Sequence, residues 1–456
     1  MPFDHYDEVD EAEEERIHFQ NVIATFSHYT QYSLSANNRR RRDIYALPLE
    51  DQEILGTLGY KEKLDEVDKA ILANADFLNK IVENPEIFGH DLDEEEEAVD
   101  GHGGHGEHRG CSHSHDNPLG GHSHPHECAH GHSHEEPSHG HSHDEPSHDE
   151  PPPSHSHDEP SHGHSHSHAG PSHSHSHGGP SAPRTKKKPT DFDMDKLRST
   201  LKQFVRDWSK EGAVERDQCY KPLVDALLEF YPNVEGRSDI RVLVPGAGLG
   251  RLAWDIANLG FACQGNEFSH YMLLSSYFIL NRTDGVKKHT IYPYVHSFSN
   301  IPNRTALLRP IQIPDVSPSA LPPNSKFSLV AGDFEEIYGS DDHDPDEPQA
   351  GEWNAIVTCF FIDTAKNIVN YLRIIHNILA KGGIWINLGP LLWHWENNNT
   401  NDLSVELDLE EMKELARKIG FEITDERTID TTYTNNAQSM LGYVYKASFF
   451  VAKKTA

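Results

Sequence analysis

The chain has 456 residues, 36% of them hydrophobic, and a formal net charge of −33. That length holds one large or two ordinary domains, and such acidity argues against nonspecific binding to nucleic acid or to an anionic membrane. No apolar stretch approaches the roughly 18 residues of a membrane-spanning helix, and the opening Met1-Pro2-Phe3-Asp4-His5 lacks the basic and apolar regions of a signal peptide.

In chain order, residues 12–90 read as helical. The clearest stretch is 61–82, where Leu64, Val67, Ile71, Ala75, Leu78, Ile81 and Val82 share one face and Asn74 interrupts it. A helical N-terminal region is therefore expected over 1–97, packed as a cap on the sheet domain. Residues 98–189 form a low-complexity insert of His-Ser-His, Gly-His and Asp-Glu-Pro-Ser repeats, with 24 histidines between His102 and His177. Such a composition cannot bury a core, so disorder is expected. Its imidazoles are expected to bind zinc, nickel or copper weakly; no finger-type Cys/His spacing marks a dedicated metal site. The cysteines (111, 128, 219, 263 and 359) are odd in number and show no paired spacing, as suits reduced thiols in the cytoplasm or nucleus. The basic runs 39–42 and 186–188 read as solvated charge at an element end or linker, or as a nuclear-import signal.

Regular structure resumes at 190. Asp191 or Asp193 is expected to cap a helix through Met194, Leu197, Leu201, Phe204, Val205 and Trp208, and a second helix is expected at 221–231. Strands are expected at 240–244, at 259–263, at 327–331, at 353–361 and at 384–388, with helices at 251–259, 269–281 and 365–379 between them. Residues 300–326, rich in proline, read as an irregular loop. A helix at 409–419, a strand near 421–423 and a last strand at 443–451 close the chain. Alternating β and α units imply a parallel sheet; the two closing strands suggest an antiparallel edge. The fold class is a doubly wound, seven-stranded Rossmann-like α/β domain over 190–456.

Val242-Leu243-Val244-Pro245-Gly246-Ala247-Gly248-Leu249-Gly250-Arg251 is a strand feeding a glycine turn that opens a helix. Such turns let a ligand lie against main-chain N–H groups at a helix N-terminus. A dinucleotide fingerprint would put glycine at 251, where Arg251 stands; the G-x-G-x-G spacing suits S-adenosylmethionine (SAM), which has no pyrophosphate. Glu267, about 20 residues on, is placed for ribose hydroxyls. The carboxyl end of the third strand delivers Asp333 and Phe334, suited to the adenine amino group and ring. The fourth delivers Asp363, and the fifth Asn387 and His394. Asp363 reads either as a buried acid near the reacting centre or as the N-cap of the following helix.

Five segments, 191–209, 242–255, 263–267, 358–365 and 382–392, resemble the carnosine N-methyltransferase family over about 190–453, and more weakly over 12–90. The motifs are Asp191-Phe-Asp-Met-Asp-Lys-Leu, the glycine turn, Cys263-Gln-Gly-Asn-Glu267, Cys359-Phe-Phe-Ile-Asp363 and Gly382-Gly-Ile-Trp-Ile-Asn-Leu-Gly-Pro390. The histidine-rich insert departs from that pattern. The resemblance implies SAM-dependent methylation of the imidazole of carnosine (β-alanyl-histidine) and related histidine dipeptides, giving anserine, and a homodimer. On matching positions, Gln203, Arg206, Gly246, Gly248, Glu267, Asp333, Phe334 and Ala355 would hold SAM. Asp363, His394, Tyr443 and Tyr445 would hold the small-molecule imidazole dipeptide, with Asp363 catalytic. Two alternatives stay open: a protein or peptide histidine methyltransferase, and an inactive metal-binding scaffold.

Overall fold

The computed structural model describes residues 4–83, 188–339, 350–398, 400 and 402–455. The histidine-rich segment, with its expected disorder and metal binding, lies outside the described residues.

Three helices open the chain: α1 (Asp4–Tyr45), α2 (Leu49–Thr57) and α3 (Tyr60–Ile81). The first begins before residue 12, where the helical reading of the sequence starts. Next come α4 (Asp191–Trp208), α5 (Ala213–Phe230), β1 (Arg241–Pro245), α6 (Arg251–Asn258), β2 (Ala262–Glu267), α7 (His270–Asn281), β3 (His289–Ile291), α8 (Arg304–Leu307), β4 (Ile311–Ile313), β5 (Phe327–Ala331), α9 (Phe334–Gly339), β6 (Trp353–Cys359), α10 (Ile368–Ile378), β7 (Leu379–Gly389), α11 (Leu409–Ile419), β8 (Phe421–Thr431) and β9 (Tyr445–Lys454). The seven-stranded sheet has the order β5-β2-β1-β6-β7-β9-β8. Its first five strands are parallel, and β9 lies antiparallel between β7 and β8. This is the expected doubly wound plan with an antiparallel edge.

Strand periodicity explains how both faces are covered. On β1, Val242 and Val244 join Leu223 and Leu227 of α5 and Leu252 and Ile256 of α6. Leu243, between them, joins Ile356 and Trp385 and the α10–α11 side. The sheet therefore has helices on both faces and near-continuous apolar strands, as a buried parallel sheet requires.

Several boundaries differ from the sequence reading. Thr190, rather than Asp191 or Asp193, caps α4; its side chain accepts the Asp193 N–H, and Asp193 reciprocates. α5 begins at Ala213, not 221, and carries Pro222 inside it. β2 runs on to Glu267, and β8 to Thr431. The proline-rich 300–326 stretch is not wholly irregular: it holds α8 and β4, and β4 pairs antiparallel with β3. The signal was too short to read, because only Ile311 and Ile313 point inward around exposed Gln312.

The cap shares a core with the sheet domain. Phe19, Phe26, Val67 and Ile71 cluster with Leu201, Phe204 and Trp208 of α4 and with Tyr271 of α7. Asn74, the polar interruption of α3, is fully buried and fixes the register of this docking. Its amide donates to the Tyr292 carbonyl (2.9 Å) and to the Tyr29 hydroxyl (3.0 Å), and its oxygen accepts the Tyr292 N–H (2.7 Å). Asn74→Ala would leave the half-buried Tyr292 backbone groups without these partners, at about 1 kcal/mol. We expect a matching fall in the urea midpoint; an unchanged midpoint would remove Asn74 from the docking account.

Candidate active site

Beyond the carboxyl ends of the parallel strands lies a cleft. Its floor is the turn after β1. Gly246 and Gly248 have φ of +65° and +56°, values that L side chains rarely adopt. At Gly246 a Cβ would also sit 2.7 Å from the Phe361 ring, whereas at Gly248 it would meet nothing nearer than Asp207 Oδ2, at 3.8 Å. The loop is thus closed behind Gly246 and open at Gly248.

Glu267 ends β2, almost fully buried. Its carboxylate accepts N–H groups from Gly248 (2.8 Å), Phe268 (3.0 Å) and Ser269 (2.9 Å). Burial nevertheless raises its pKa to about 6, against the opposing pull of those bonds. A carboxylate offers about four lone-pair sites, so one stays available toward the cleft. Asp333 and Phe334 border the same space. Asp333 also accepts the Glu335 N–H (2.7 Å), starting α9. The Phe334 ring meets Phe361 and Tyr371 edge-on at 5.3 and 5.2 Å.

The opposite wall is α4. Gln203 and Arg206 face the cleft. The Gln203 amide donates to the Tyr433 hydroxyl in a short hydrogen bond, while its buried Oε1 has no partner among the described residues. Arg206 is buried among acids: Nη1 donates to Tyr220 (2.6 Å) and lies 3.3 Å from Asp207, and Nε lies 3.0 Å from Glu215 Oε1. Glu215 in turn accepts from the Thr432 hydroxyl (2.8 Å) and from the Thr434 and Asn435 N–H groups (2.8 and 3.2 Å). These bonds tie the β8–β9 connection to α5, and Tyr433 lies over the Arg206 guanidinium, 4.7 Å from the ring centre.

These residues fit SAM: an open glycine loop, an acid for the ribose, an aromatic face beside an acid for adenine, and an orphaned buried acceptor beside a guanidinium for the methionine end. Seven of the eight residues assigned to it border the cleft. Ala355 does not. It is fully buried in mid-β6, paired with Val242 and packed into the core, four residues before Cys359 reaches the cleft.

None of the four residues of the other predicted group borders the cleft, but Asp363 stands in sequence between Phe361 and Thr364, which do. Asp363 lies in a short 3₁₀ turn (Ile362–Thr364) and is 3% exposed. It does not cap α10, whose N-cap is Asn367. Its carboxyl accepts the Leu392 N–H (3.0 Å), and its backbone oxygen accepts the His394 N–H (3.0 Å), tying the segment after β7 to this turn. Burial lifts the Asp363 pKa to about 7. Tyr445 starts β9. Its phenol is pushed up chiefly by burial, then by the charges of Asp363 and Tyr443. Tyr443 precedes the strand instead of sharing its face, and is 52% exposed. Phe360 joins the two groups: its ring lies 4.8 Å from that of Tyr433 and 5.6 Å from that of Tyr445. Its φ of +54° is unusual for an aromatic residue and holds the ring in this partition.

Asp207, Glu215, Tyr220 and Tyr433 were not singled out from sequence. Asp207 had a signal, standing one turn of α4 beyond Gln203. Tyr433 had none, since it lies in a connection without periodicity.

A family model described as carnosine N-methyltransferase matches residues 183–456. A Mus musculus protein named carnosine N-methyltransferase is 51% identical over 265 residues, 58% of this chain and 64% of its own. The Schizosaccharomyces pombe protein of that name is 47% identical over 270 residues, 57% of this chain and 71% of its own. The Drosophila melanogaster relative is 43% identical over 261 residues, 57% of this chain and 55% of its own. The chain therefore spans less than two thirds of the mouse and fly relatives. Because the family model covers more than half of the chain, including the whole sheet and both groups of site residues, the chain belongs to the carnosine N-methyltransferase family.

Proposed function

We propose that the chain transfers a methyl group from SAM to the imidazole of carnosine, β-alanyl-histidine, at the ring nitrogen nearer the backbone, giving anserine. The observation that carries this reading is Asp363, a buried carboxyl beside the SAM cleft and close to Tyr445. The names of the family and of its relatives support the choice of substrate.

When bound, the cofactor supplies an electrophilic methyl group on a sulfonium. The protein's task is to present one imidazole nitrogen to it. A free imidazole has a pKa of about 6.5, so at neutral pH it is mostly neutral, with one N–H and one lone pair. The Asp363 carboxylate accepts the N–H of the far nitrogen, and the near nitrogen's lone pair then faces the cleft. The same carboxylate pairs with the imidazolium that forms, as the acid of a catalytic triad does for its histidine. His394 and Tyr445 hold the ring from the sides, Tyr443 closes the exposed rim, and Phe360 keeps water from the path between the two groups. Orientation and electrostatics carry the rate, with no further acid or base.

Labelled SAM incubated with carnosine, free histidine, other histidine dipeptides and a histidine-containing protein tests the reading. We expect product on carnosine, and at least about a hundredfold lower kcat for Asp363→Asn at retained SAM affinity. Transfer to protein alone would overturn the substrate, and equal loss of binding and turnover would make Asp363 structural. Because both the imidazole and Asp363 must shed a proton, kcat/KM should rise with pH and level off above about 7.

Asp363 also makes a separate prediction for the ligand-free protein. Its folded pKa is raised, so the folded state holds the proton more tightly than the unfolded chain does. Its contribution to stability is then lost as pH rises from about 4, the unfolded value, to about 7. Asp363→Asn should gain stability relative to the parent across that window and hold the gain above it. A pH-independent difference in urea denaturation would contradict the buried-acid account.

A further inference from the structure

We infer that Asp207, together with Gln203, binds the α-ammonium of the methionine half of SAM, so that α4 grips both charges of that amino acid. The inference rests on the SAM reading above and deepens it.

Gln203 and Asp207 are one turn apart on α4, hence on the same face, and both border the cleft. Asp207 is 2% exposed. One carboxylate oxygen is committed: Oδ1 accepts the Tyr220 hydroxyl at 2.7 Å and lies 3.3 Å from Arg206 Nη1. The other, Oδ2, points to the open glycine of the loop, 3.8 Å from where a Gly248 Cβ would stand. Gln203, 5% exposed, adds a second acceptor, Oε1, that has no partner among the described residues. A ligand group filling the space between these atoms must donate hydrogen bonds.

The charge balance requires that group to be cationic. Arg206 faces two buried carboxylates, Asp207 and Glu215. The neighbouring arginines do not supply the missing charge. Arg216 donates to the backbone oxygen of Arg206 (2.6 Å) and pairs with Asp315 (2.5 Å). Arg251 donates to the backbone oxygen of Asp207 (2.7 Å) and pairs with Asp315 (2.7 Å) and Asp255 (2.9 Å). The group of three therefore carries one uncompensated negative charge in a buried place, which is costly without a counter-ion. An ammonium with three donors satisfies both the charge and the acceptors. Arg206 Nη2, whose contact is a weak one to Cys359 Sγ at 3.8 Å, remains for the carboxylate of the same amino acid.

The test uses three ligands in calorimetric titrations of the full chain: S-adenosylhomocysteine, its analogue with the amino group replaced by hydrogen, and 5′-methylthioadenosine, which lacks the amino acid. The parent protein should prefer the first over the second by roughly 10- to 100-fold, the range for a hydrogen bond to a charged group. Asp207→Asn keeps the shape and an acceptor for Tyr220; it should cut that preference by about tenfold or more and leave 5′-methylthioadenosine affinity unchanged. The preference is a ratio within one protein, so a fall in the folded fraction cancels. A parent protein that does not discriminate, or a variant that keeps the parental ratio, would overturn the role of Asp207 while leaving the SAM reading intact. Failure of the parent to bind any of the three would overturn both.

Discussion

Arg206 is the point on which the site depends. A buried guanidinium must be paired, and its partners come from three elements: Asp207 beside it on α4, Glu215 and Tyr220 on α5, and Cys359 at the end of β6. Glu215 extends the chain of contacts to the β8–β9 connection. Behind it, Asp315 bridges Arg216 and Arg251, whose guanidiniums hold the last carbonyls of α4. The end of α4 is thereby fixed from both sides, and the cofactor wall is set by ion pairs rather than by the sheet alone.

Two other acids, Glu267 at the end of β2 and Asp363 in the turn after β6, are held differently. Among the described residues neither Glu267 nor Asp363 has a cation beside it; backbone N–H groups are their partners, and burial raises both pKa values. Such a carboxyl is poorly stabilised as an anion until a donor arrives. A ligand that donates a hydrogen bond to such a carboxyl would gain binding energy from the unmet demand of a buried acid.

The sheet was legible because apolar runs and glycine punctuation are local signals. The turn at Gly246, Gly248 and Gly250, the strand from Trp353 to Cys359 and the helix at 409–419 all stand within about two residues of where the pattern put them. The missed pieces depend on tertiary context. β4 is three residues long and exists because β3 pairs with it. Tyr433 reaches the cleft through Glu215, a residue more than two hundred positions earlier. Ala355 failed differently: a residue-by-residue transfer assigned it to the ligand, while its place in mid-strand keeps it in the core. The periodicity of a strand cannot tell how far along it the ligand sits.

α4 shows two kinds of surface. Its polar edge carries Gln203, Arg206 and Asp207, and its apolar face, Leu197, Leu201, Phe204 and Trp208, lies in the core shared with α1 and α3. Occupancy of the cleft and docking of the cap are therefore linked equilibria. A ligand that binds the folded arrangement alone stabilises it by mass action, so it should slow amide exchange in α1 and α3, helices it never touches. By the same reciprocity, substitutions at the cap interface act as distant weakeners of cofactor affinity, and part of the binding strength of this site resides in a helical layer outside it.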